Sequence, residues 1–208
     1  MYAASQLHKF DSRGTEHLGF AIKNETNWLV KKEILLSLDK INTIESLRAM
    51  YAAFADHDGR VREAAARSMA AFKMIVDNNQ EAGNITALLK NQLAKDCNHY
   101  VRGAVLEAYG KLALADFDSL LMTHALEISH LDAVRKGVFA GLRTVSSNAL
   151  FDLALKALDY NIPTGDMHLG DIEVLEWASR HYKEKTGRVK EIIKAGLKNP
   201  YFRTRIRA

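Results

Sequence analysis

The chain has 208 residues, is 48% hydrophobic and 26% charged, and carries a formal charge of +4. Such a length makes one large domain or two small ones with a sizeable core, and the composition is that of a globular protein, which excludes intrinsic disorder. A single Cys excludes an internal disulfide framework or a Cys-rich zinc site; no apolar run approaches the ~20 residues of a membrane span, and residues 1–6 lack the basic and apolar regions of a signal peptide. These absences predict a cytoplasmic protein. With only 2 Pro and abundant Ala, Leu, Lys and Glu, helix is favoured throughout.

In chain order, the first clear periodicity lies in NWLVKKEILLSL, where Val30, Ile34, Leu38 and Ile41 form one apolar helix face and Asn27 is placed to cap the free N–H groups. An amphipathic stretch follows at 43–55. Asp58 then opens a second copy of the pattern, with Val61, Ala65, Met69 and Phe72 on the apolar face. After a break at Asp77-Asn78-Asn79 and an amphipathic stretch at 84–94, Asn98 opens a third copy through Val101, Val105, Tyr109 and Leu112. Residues 117–128 are amphipathic again. The fourth copy, Val134, Val138, Leu142 and Val145, departs at its start, with Leu131 in the capping place and Asp132 one residue later.

Two weaker copies follow the amphipathic stretch 148–158 and a break at Asn161-Ile162-Pro163-Thr164-Gly165. The first has Asp171 as cap and Val174 as anchor, with Ala178 and Tyr182 behind, but Leu175 where a basic residue is expected. The second comes after amphipathic 188–197: Asn199 as cap, Pro200 suited to a first helical turn, Phe202 as anchor, then Arg203 and Ile206. In the four strong copies Lys31, Arg62, Arg102 and Arg135 directly follow the valine. Small Ser37, Ser68, Ala108 and Gly141 stand seven residues after it, where they let a neighbouring helix approach closely. The anchors are 31, 40, 33, 40 and 28 residues apart, and each interval holds one further amphipathic stretch. Two antiparallel helices per period predict an all-α fold, a right-handed α-solenoid of about five to six helix pairs forming a single domain over 1–208.

The polar start, the Val-Arg/Lys pair and the small residue resemble HEAT repeats over nearly the whole chain. This resemblance implies the fold and leaves function open, because such repeats scaffold many activities. A solenoid needs a capped terminal repeat; the pattern ends two turns into a helix at Arg203–Ala208, so the chain reads as a C-terminal fragment of a longer protein.

Candidate chemistry is sparse. The eight His residues form no H-E-x-x-H or H-x-H pattern. His57 between Asp56 and Asp58 is the nearest approach to a ligand set, but Asp58 reads as a helix cap; His99 and His130 fall in equivalent turns. Cys97 beside Asp96 has no basic partner fixed by sequence and reads as structural. Gly137 and Gly141 read as close-packing positions, Trp28 and Trp177 as core or inter-repeat residues. The carboxylate pairs Asp116/Asp118 and Glu173/Glu176 read as acidic helix starts. No catalytic, cofactor-binding or metal-binding residue is assigned. From Arg180 onward ten basic residues face only Glu184 and Glu191, a segment of +8 against −4 for the rest. It reads chiefly as a solvated face; Tyr182, Tyr201 and Phe202 make a poor stacking platform, which argues against nucleic acid.

The second half is also similar to the C-terminal HEAT-like region of gluzincin zinc aminopeptidases, the aminopeptidase N family. The features that carry this are DCNHYVRGAVLEAYGKL, Ser129-His130 before Val134-Arg135, Gly137, Gly141-Leu142, Leu153-Ala154-Leu155-Lys156, Tyr160-Asn161-Ile162-Pro163 and Asn199-Pro200-Tyr201-Phe202-Arg203. The family's H-E-x-x-H helix and G-x-M-E-N segment are not in this sequence, so no catalytic residue carries over and zinc would belong to a separate catalytic domain. The resemblance implies a non-catalytic domain that covers the catalytic domain or holds a protein or peptide partner. Two other readings stay open: a free-standing HEAT adaptor, and a HEAT-like DNA-repair glycosylase favoured only by the basic tail and the general fold.

Overall fold

The computed structural model describes residues 6, 9, 11–78, 81–158 and 168–208, and among them the regular structure is helical, with no strand. The chain divides into two compact units at Ala108/Tyr109.

In the first unit, α1 (Asp11–Asn24) packs on α2 (Trp28–Ile41) and on α3 (Ile44–Met50), which continues as a 3-10 turn, Tyr51–Ala55. α2 in turn packs on α4 (Gly59–Met69), which runs through the 3-10 turn Ala70–Phe72 into α5 (Lys73–Asn78). Next come α6 (Ala82–Lys95) and α7 (His99–Lys111), the latter crossing the division. First helices thus lie on first helices and second on second, the arrangement of stacked hairpins in which each repeat buries its neighbour's apolar face. The expected faces are inside: Val61, Val101, Ile34, Ala65, Val105, Leu38, Met69 and Phe72 are buried, while Val30 at the outermost copy is half-buried. Helix α1 has no valine-basic pair, and Leu18 and Ile22 supply its buried face. The break predicted at Asp77-Asn78-Asn79 coincides with the end of α5; Asn79 itself lies outside the described residues.

The second unit holds α8 (Phe117–His124), α9 (Ala133–Gly141), α10 (Asn148–Leu158), α11 (Leu169–Arg180), α12 (Thr186–Lys198) and α13 (Phe202–Arg207). Here too the second helices α9, α11 and α13 stack in turn, and the first helices α10 and α12 pack together. The small position of the fourth copy has a visible reason: a Cβ on Gly110 would lie 2.6 Å from Gly141 Cα, so the two backbones meet with no room for a side chain. Trp177 fills the core between Phe139 and Phe151, with ring centroids 5.6 and 4.9 Å away, and its Nε1 donates to the carbonyls of Leu142 and Val145. The break at 161–165, Tyr160 and the Phe202 side chain lie outside the described residues.

Helix starts correct the sequence reading in the later copies. Asn27 and Asp58 cap as expected, accepting from Leu29 N and Arg60 N at 2.9 Å, and Asn98 accepts from Tyr100 N at 2.9 Å. In the fourth copy Ser129 Oγ accepts from Val134 N at 3.0 Å. The chain reaches α9 through Leu131 and Asp132, both left-handed at φ 47° and 60°, a conformation that Asp tolerates but that costs a residue such as Leu131 about 1–2 kcal/mol. In the fifth, Asp171 is not the cap: α11 begins at Leu169, which places Asp171 in its first turn and leaves Tyr182 beyond the helix end and exposed. In the sixth, Pro200 precedes the helix and the geometry of the strong copies recurs two residues late. Arg205 Nη1 reaches the carbonyls of Asn199 and Pro200 as Arg62 Nη1 reaches those of Asp56 and His57. Arg205 rather than Arg203 is therefore the repeat's basic residue, with Thr204, fully buried, in the anchor's place.

Candidate functional site

The basic residue of each strong copy is the obvious chemical feature, and the fold uses it internally. In the first unit Lys31 pairs with Asp56, and Arg62 grips Asp96 with two bonds, Nε to Oδ2 at 2.7 Å and Nη2 to Oδ1 at 3.0 Å. Each carboxylate stands in the turn before the next second helix, where it also accepts a backbone N–H: Asp56 Oδ1 from Asp58 N at 2.8 Å, and Asp96 Oδ1, which it shares with Arg62 Nη2, from Asn98 N at 3.0 Å. Burial pushes the Asp56 and Asp96 carboxyls up, but the cation and the N–H groups together outweigh it and hold both below the ordinary range. Arg102 instead ties Leu93 O at 2.5 Å. This ladder joins successive hairpins. Its acidic rungs were missed in the sequence, although each stands five residues before its anchor valine.

The fourth copy builds a larger knot. Arg135, buried, bonds Asp132 and the carbonyl of Ala157, and its Nη2 lies 3.0 Å from Asp171 Oδ1. Asp171 Oδ2 accepts from Asn199 Nδ2 at 3.1 Å and from Thr204 Oγ1 at 3.3 Å, which fastens α13 to α11. Gly170 admits this knot, since a Cβ there would meet Asp132 and lie 2.7 Å from Arg135 Nε. Two carboxyls thus share one guanidinium, and burial pushes the Asp171 carboxyl above its ordinary value. His168, buried beside it with its ring 3.3 Å from that of Tyr201, was not singled out in the sequence.

The remaining candidates are dispersed. His57 is exposed beside Asp56, His130 is exposed in its turn, and His99 is half-buried at the start of α7. Among the described residues no group of three or more His, Cys, Asp or Glu could hold a metal ion. Asp58 donates nothing to a ligand set: Arg60 grips it and holds its carboxyl down at about 2, and the same guanidinium lies 4.1 Å above the Trp28 ring. Cys97 is exposed at the edge of a cleft of about 370 Å³ whose walls include the ladder residues Asp56, Arg62 and Asp96, and Gln92, which donates to Asp96 Oδ2 at 2.7 Å. Asp116 accepts from the Tyr109 hydroxyl at 3.0 Å and Asp118 lies in the first turn of α8. Glu173 and Glu176 stand further along α11 than expected, and Glu176 pairs with Arg207.

The basic segment separates into engaged and free charges. Arg188 holds Asp152 and Glu191, Arg207 holds Glu176, and Arg205 ties backbone carbonyls. Lys190, Lys194 and Lys198 are exposed, and no ion pair to any of them occurs among the described residues.

Residues 15–110 match the family model of HEAT repeats. This span holds stacked hairpins and the Lys31–Asp56 and Arg62–Asp96 rungs, so fold and family agree there. No curated protein matches the chain. No helix among the described residues is long and apolar enough to cross a membrane. An all-α, HEAT-like helical-repeat architecture is the outcome, and HEAT repeats commonly serve protein interaction.

Proposed function

We propose that residues 1–208 act as one non-catalytic HEAT-repeat module that binds a protein or peptide partner. The observation that carries this reading is the consumption of the repeat's charged residues by the fold: Lys31, Arg62, Arg135 and Arg205 all serve contacts within or between hairpins. What is left for solvent is helix surface, which suits recognition by area and charge rather than chemistry at a point.

The finer reading rests on the similarity of the second half to the C-terminal region of zinc aminopeptidases. In it, the module covers a separate catalytic domain, which alone holds zinc, or scaffolds peptide access to it. The test is the reading frame around this segment. An upstream H-E-x-x-H with G-x-M-E-N, and complex formation in sedimentation velocity between that upstream portion and this chain, are the expected results. A frame without those motifs overturns the aminopeptidase reading and leaves the adaptor.

A further inference from the structure

The free lysines of α12 lie on one line. Positions 190, 194 and 198 are spaced by four, so successive Cα atoms are displaced by about 6 Å along the axis and 40° around it, a stripe about 12 Å long. The face opposite is the buried one, Val189, Ile192 and Gly196, so the stripe points to solvent. The acid on this exposed arc, Glu191, is already held by Arg188 at 2.9 Å. Within the arc, beside Lys190 and Lys194, Leu197 is 54% exposed. Three ammonium groups that have no ion pair among the described residues repel one another, the exposed leucine at the edge of their stripe is hydrated at a cost, and both are relieved by the same partner.

We propose that this face of α12 docks an acidic amphipathic helix of a protein partner, with carboxylates at four-residue spacing against Lys190, Lys194 and Lys198 and an aliphatic side chain against Leu197. The inference rests on the protein-binding reading above and names the chemistry of its partner. Matching spacing on two helices lets all three charges be met at once. A nucleic-acid backbone would also satisfy the lysines but would leave Leu197 without an apolar contact, and no aromatic side chain lies on this arc for stacking.

The test uses the full chain and a fluorescent synthetic helix carrying Glu at three successive i, i+4 positions flanked by Leu, read by anisotropy. Controls are a scrambled peptide of equal composition and a 20-nucleotide single strand. Expected is binding to the patterned peptide at least about tenfold tighter than to the scrambled one, loss of at least tenfold in K190E/K194E/K198E, and a loss of several-fold in L197S, with circular dichroism unchanged. Equal affinity for patterned and scrambled peptides, or an unaffected triple variant, overturns the stripe. If cross-linked cell proteins are then captured equally by wild type and triple variant, the stripe fails while the protein-binding reading stands. Tighter binding of the oligonucleotide than of either peptide overturns both.

Discussion

Asp58 and Asp171 each sit where a second helix begins, and their carboxyls respond to protons in opposite directions. Asp58 accepts from Arg60 N and its guanidinium, which holds its pKa at about 2. The folded state therefore releases this proton more readily than the unfolded chain. The stability it contributes is present above the ordinary value of 3.8 and is lost as pH falls through the folded value. Asp58→Ala removes the cap and should cost about 1 kcal/mol in urea unfolding at pH 7, whereas Asp58→Asn, which still caps, should cost much less. Asp171 behaves inversely, because burial raises its pKa. Its favourable protonated form is complete below 3.8, and stability falls as pH rises through the raised folded value. Asp171→Asn mimics the neutral form, so its stability relative to wild type should improve steadily from about pH 4 upward until the wild-type carboxyl is ionised. Urea midpoints measured from pH 4 to 8 check this; a difference independent of pH would refute it.

At the scale of elements, the ladder decides which hairpins are held together and how firmly. Asp96 is almost wholly buried, and Arg62 meets it with two parallel bonds. Removing one partner strands a buried charge, so Arg62→Ala should cost about 3–5 kcal/mol. Removing both by Arg62→Met with Asp96→Leu should recover a large part of that loss, and a double-mutant cycle in urea measures it. The basic rung was legible in the sequence because it repeats at a fixed offset from a valine. Its acidic partner was not, because it belongs to the next hairpin, 34 residues on, and no short-range periodicity reports such a pairing. The same limit explains the slips in the fifth and sixth copies. Valine and cap at the right spacing suggested a start at Asp171, but the knot with Arg135 draws that carboxyl inside the first turn of α11. Helix α1 escaped notice because its buried face lacks the valine-basic pair altogether.

At the scale of the whole molecule, the distribution of charge and ligand atoms bears on chemistry. The repeat pattern made the all-helical architecture legible in the sequence, while the places of His168 and His181 in the core depend on packing and were not. Eight histidines invite a test for metal binding. A zinc site needs about four ligand atoms within ~2.3 Å of one point, and the described residues bring no three candidate ligands together. A folded-state site filled at one hundred times its dissociation constant would add about 2.7 kcal/mol, which in a chain of this size raises the melting temperature by roughly 5–10 °C. The expected outcome is a shift under about 1 °C on adding 100 µM zinc or excess chelator, and no zinc-dependent release of N-terminal residues from peptide anilides. A rise of several degrees reversed by the chelator would assign this chain a metal site of its own, and zinc-dependent release would make it an enzyme rather than the protein-binding repeat module proposed above.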